Sequence, residues 1–169
     1  METNKTLHGR LEQERAQRKE RIMNEKAEMA KPYLHLVPLI FQMNQKVVDG
    51  GGSRDVLLLA DEQSEDYRNT LQLGWSRKTK TLVLRRIEFY WERGGWEEVG
   101  LFEQSNYIEP GWYKSSNSEI VVVQSGKETD LGCILARFAE FGGKTRGEAA
   151  LVRIEEVKNL LEEGLNKIK

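Results

Sequence analysis

Seven side chains of this 169-residue chain have the types and spacing for recognition chemistry. Lys78, Lys80, Arg85 and Arg86 share the segment 75–93 with Tyr90, and Trp112 and Tyr113 follow as an adjacent pair. Basic residues interleaved with aromatics on a strand suit phosphate contact with base stacking. Exposed aromatics equally make anchors for a protein partner. Charge argues between the two. Over 75–93 the bases Arg77, Lys78, Lys80, Arg85, Arg86 and Arg93 face Glu88 and Glu92, a net of +4. Over 97–130 seven acids (Glu97, Glu98, Glu103, Glu109, Glu119, Glu128, Asp130) face Lys114 and Lys127, a net of -5. The acidic stretch repels the phosphates that the basic one attracts, or pairs with it across strands. Protein contact is therefore the leading expectation, with single-stranded nucleic acid as the alternative.

Catalytic sets are hard to assemble from the rest. Imidazole chemistry would fall to His8 or His35; the first lies near the N-terminus and the second in an apolar helical run, which predicts a structural histidine. Cys133, the only cysteine, sits beside Ile134 and Leu135 and reads as a buried thiol; alone it forms no intrachain disulfide and no multi-cysteine zinc site. Gly143-Lys144-Thr145 has Phe138 where a phosphate-binding loop needs its first glycine, so it reads as a helix stop and start. Asp61, Glu62, Glu65 and Asp66 lack the glycine turn of a calcium loop and read as a solvated acidic loop. Glu97 and Glu98, adjacent on an expected strand, point to opposite faces. No catalytic residue, metal site or cofactor is expected.

The elements that position these residues fall into three regions. Residues 5–48 are helical in pattern. Met23, Ala27, Ala30, Leu34, Val37 and Phe41 step by four and three, and Leu36, Ile40, Met43 and Val47 join from Tyr33 onward. That predicts a wet arm over 1–31, where the stripe is thin, and a buried helix after it. A break is expected at Pro32 or Pro38, and a left-handed cap at Gly50. Strands are expected at 56–60, 70–76, 81–93, 96–103 and 119–124. Leu82 and Leu84 have one parity and Ile87, Phe89 and Trp91 the other, which predicts a bulge at Arg85-Arg86 and leaves Tyr90 on the outer face. Gly94-Gly95 signals a hairpin, and Pro110-Gly111 a turn that puts Trp112 and Tyr113 in a loop. Ser125-x-x-Glu128 and Thr145-x-x-Glu148 match capping boxes ahead of two C-terminal helices, the first carrying Leu131, Ile134, Leu135, Phe138 and Phe141, the second running from Ala150 to Ile168.

The expected fold is α+β: an antiparallel four- to five-stranded meander flanked by a long N-terminal helical segment and two C-terminal helices. Residues 1–31 form a charged arm and 32–169 a single domain. The element order resembles ubiquitin-conjugating-type folds in architecture; their His-Pro-Asn signature is missing, so the resemblance implies no activity. Twenty-six basic and 27 acidic residues nearly cancel, so net charge draws in neither nucleic acid nor an anionic membrane. The longest apolar window, 34–43, is too short to span a bilayer. With no apolar leader in Met-Glu-Thr-Asn-Lys-Thr, the expectation is a non-catalytic cytoplasmic adaptor with a protein partner, self-associating as a homodimer through its arm.

Overall fold

The computed structural model describes residues 4–52, 56–63, 67–91, 112–114, 118–140 and 148–168. In chain order these form α1 (Asn4–Ala30), a 3-10 turn (Lys31–Leu36), α2 (Val37–Asp49), β1 (Leu57–Gln63), β2 (Tyr67–Ser76), β3 (Thr81–Trp91), β4 (Trp112–Lys114), β5 (Glu119–Val122), α3 (Glu128–Glu140) and α4 (Glu148–Lys167). The class is α+β with an antiparallel sheet, as expected. β1, β2 and β3 are a meander, and two short strands share the fourth position along β3. β4 pairs with Phe89–Trp91, and β5 pairs with Val83–Arg86. The strand expected at 96–103, the Gly94-Gly95 hairpin, Glu97, Glu98, Phe141 and Gly143-Lys144-Thr145 lie outside the described residues.

Both prolines punctuate the N-terminal helices. Pro32 opens the 3-10 turn and Pro38 opens α2, each in the first turn, where a missing N–H costs nothing. Gly50 follows α2 at φ -82°, so it does not take the left-handed conformation expected of it. Gly51 and Gly52 do, at φ 91° and 99°. Their amides return to Val48 O (3.0 Å) and Val47 O (2.9 Å) and close the end of α2. Ser125 lies in a turn two residues ahead of Lys127, so it does not cap α3, which begins at Glu128.

One face of the sheet carries the helices, and its parity runs unbroken along β3. Leu82, Leu84, Arg86 and Glu88 are all buried there, opposite Leu73, Leu71 and Asn69 of β2. The register from Ser76↔Thr81 to Tyr67↔Tyr90 has no shift, so the bulge expected at Arg85-Arg86 does not exist. The irregularity sits instead in β1, between Leu58 and Ala60. The apparent change of phase in the sequence is a change of chemistry on one continuous face, from leucines to an ion pair.

The core lies between this face and α2, α3 and α4, with Leu36, Ile40, Met43, Leu71, Leu84, Leu131, Leu135, Phe138 and Leu161 fully buried. Each such side chain contributes about 1.5–3 kcal/mol on leaving water. Glycine sets the closest approach of α3 to the end of α1. A Cβ built on Gly132 would stand 2.8 Å from Ala30 Cβ and 3.3 Å from Ala30 O, so a methyl group there would push the helices apart.

Candidate functional site

The chemistry-bearing side chains gather at one end of the helix-covered face, where β1 ends, β2 begins, α3 overlies β3 and α4 overlies β1. Arg86 and Glu88 are two residues apart on one strand face and are hydrogen-bonded to each other, with both side chains almost wholly buried (relative exposures of 4% and 6%). Arg86 is also 4.0 Å from Glu119, its register partner on β5, and Glu119 bonds Arg137 of α3. Asn69 is buried alongside and donates to Phe138 O at 3.3 Å. Arg153 of α4 joins the pieces: it meets Glu62 of β1 at 2.6 Å and Glu156 at 2.5 Å, and donates to Ala139 O at 3.3 Å. Burial works against the Arg153 charge, yet Glu62 and Glu156 more than offset it, leaving its pKa raised. Arg137 and Arg153 thus bind helices to strands and Arg86 pairs within the sheet, each matched to carboxylate.

Sequence reasoning missed this cluster and misplaced one member of it. Arg86, expected to face a ligand with Lys78, Lys80 and Arg85, is interior. Arg85 takes the other face of β3 and lies over Gly74, whose built Cβ would be 2.5 Å from Arg85 Nη2. Lys78 and Lys80 are exposed in the turn between β2 and β3, with Lys80 at φ 55°. Position 90 lies about 33 Å further along the strand from Lys80, so Lys78 and Lys80 stand well away from it. Tyr90 is the register partner of Tyr67 along β3, an even number of residues from Arg86 and Glu88. Trp112 and Tyr113 belong to a strand rather than a loop. Register aligns Trp91 with Trp112, and Tyr67, Tyr90 and Tyr113 across three strands.

The remaining candidates resolve individually. Asp61 and Glu62 are strand residues held by Arg68 (2.9 and 2.8 Å) and Arg153, not a solvated loop, while Glu65 and Asp66 lie outside the described residues. His35 is exposed on the 3-10 turn, so it is not the structural histidine expected: every third residue of that turn, Tyr33 and Leu36, is buried and those between face solvent. His8 makes an exposed contact with Glu12 at 3.0 Å. Cys133 is buried as expected, its Sγ 3.3 Å from Lys26 O, and burial pushes the thiol pKa up. Among the described residues no three His, Cys, Asp or Glu side chains gather as metal ligands, and no helix is long and apolar enough to cross a membrane. Comparison with protein-family models, curated proteins and solved structures finds no match.

Tyr33 and Cys133 make the fold sensitive to alkali. Burial raises both pKa values above their ordinary 10.0 and 9.0, and Glu140 adds to the shift at Tyr33. The folded state favours the neutral forms. Stability from these groups is complete below the unfolded pKa values and is lost as pH rises through the folded ones. Melting temperature is expected to fall from about pH 9 upward, and Tyr33→Phe with Cys133→Ala should flatten that fall. An unchanged slope in the double variant would assign the loss to other groups.

Proposed function

We propose that this chain is a non-catalytic cytoplasmic interaction module that works through protein contacts and self-associates through α1. One observation carries the reading: residues 6–28 are exposed along their whole length although they form continuous helix. A helix with so little tertiary contact is marginal in water, because nucleation is costly and packing normally supplies the stability. Only its last five residues are seated, with Lys26 O accepting from Cys133 Sγ, the Lys26 ammonium 3.9 Å from Asp130, and Met29 and Ala30 against the domain. Four large apolar side chains stand in solvent along the rest: Leu7 (47%), Leu11 (43%), Ile22 (45%) and Met23 (61%). Leu7, Leu11, Ile22 and Met29 follow one another at steps of 4, 11 and 7, which keeps them within one stripe of a nearly straight helix. The stripe that enters the core at Met29 therefore continues outward along the arm. The free thiol agrees with a reducing compartment.

Binding of single-stranded nucleic acid along β3 has less support, because burial of Arg86 removes one of its four cations. To test the arm, Leu11→Glu and Ile22→Glu are combined in the full chain. Both positions are exposed, so folding stability should change by no more than about 0.5 kcal/mol. Light scattering at tens of micromolar should give a dimer for the parent and a monomer for the variant. A monomeric parent ends the self-association reading.

A further inference from the structure

A cavity of about 280 Å³ opens at the end of the sheet opposite the ion cluster. Val47, Leu57, Leu73, Leu82 and Ile168 give it an apolar wall, and Lys46 and Lys167 also line it. Nothing in the interaction reading uses this space. Its rim is held in place: Gly52, at φ 99°, lies so close to Trp75 that a built Cβ would be 2.9 Å from the indole. Asn44 Oδ1 accepts the Leu82 amide at 2.8 Å and fixes the start of β3 against α2.

The charge at the mouth sets the kind of guest. Among the described residues neither lysine has a carboxylate within ion-pair distance. The Lys46 ammonium instead donates to Leu165 O (3.5 Å) and Ile168 O (3.2 Å) at the end of α4. Two helices, α2 and α4, direct their C-termini here, each equivalent to roughly half a negative charge. Two ammonium groups less these two half-charges leave about +1. That balance suits a singly charged anion and disfavours a phosphate dianion. Lys46 keeps one of its three N–H donors for a guest. Volume sets the size: the cavity lies just below the roughly 300–1,000 Å³ of ordinary small-molecule sites, too small for a nucleotide.

We propose that this cavity binds a small amphipathic monocarboxylate, its apolar body against Leu57, Leu73 and Leu82 and its carboxylate at Lys46 and Lys167. The full chain is titrated with octanoate, 1-octanol and inorganic phosphate by calorimetry and by amide NMR shifts. Octanoate should bind saturably, shift the amides of Val47, Leu57 and Leu82, and outcompete both controls by about tenfold or more. Lys167→Gln, on an exposed residue, should weaken octanoate about tenfold and leave 1-octanol unchanged; Lys46→Gln should act in the same direction. Absence of saturable shifts at millimolar octanoate overturns the proposal. So does equal binding of octanoate and 1-octanol, stronger binding of phosphate, or indifference to Lys167→Gln.

Discussion

Replacing Arg86 by methionine is expected to lower the free energy of unfolding by about 3–5 kcal/mol, a large part of the total for a domain of this size. The methionine fills much of the same space, so a cavity is not the cause. The loss comes from Glu88, whose carboxylate stays almost fully buried without the guanidinium bonded to it. Glu119 loses a second cation at 4.0 Å but keeps Arg137. A compensating change isolates the electrostatic part. Arg86→Met combined with Glu88→Leu removes both charges and should recover most of the stability, since apolar replacement of a buried pair is often neutral or better. Urea unfolding followed by tryptophan fluorescence measures all three forms. A loss below about 1 kcal/mol for Arg86→Met would mean that the pair behaves as a solvated surface bridge.

The same pair shows where the sequence was legible and where it was not. Leu71 and Leu73 alternate with polar residues, and their burial followed from that pattern. The two prolines announced the helix breaks because ring geometry acts locally. On β3, reading periodicity assumes that charges face outward, so Arg86 and Glu88 on the leucine face looked like a slipped phase. The two are each other's partner at a spacing that also fits two solvated charges, and the further carboxylate, Glu119, is distant in the chain. β4 was hidden for a different reason. Its three residues are too few to show a period, and Pro110-Gly111 before them signals a turn. The cavity depends on where the ends of α2 and α4 meet β1, a long-range arrangement with no local signature. The exposed arm, by contrast, was readable from its thin apolar stripe.

Phe138→Ala is the second change expected to have a large effect, again about 3–5 kcal/mol. The ring is fully buried where α3 crosses the sheet, and the Arg153 guanidinium carbon stands 5.7 Å from its centroid. Truncation removes the apolar area, leaves a cavity and deletes the cation–π contact. The better helix propensity of alanine returns only about 0.5 kcal/mol. The main-chain oxygen of Phe138 survives the substitution, and with it the acceptor for Asn69. Loss of that bond would therefore report that α3 itself had shifted, rather than that a side chain was missing. Phe138→Leu keeps most of the volume and should cost less, about 1.5 kcal/mol. Urea midpoints for the two variants, at unchanged m-value, give the comparison. If alanine and leucine prove equally stable, the ring does not anchor α3, and the seat of Arg153 must come from its bonds to Glu62, Glu156 and Ala139.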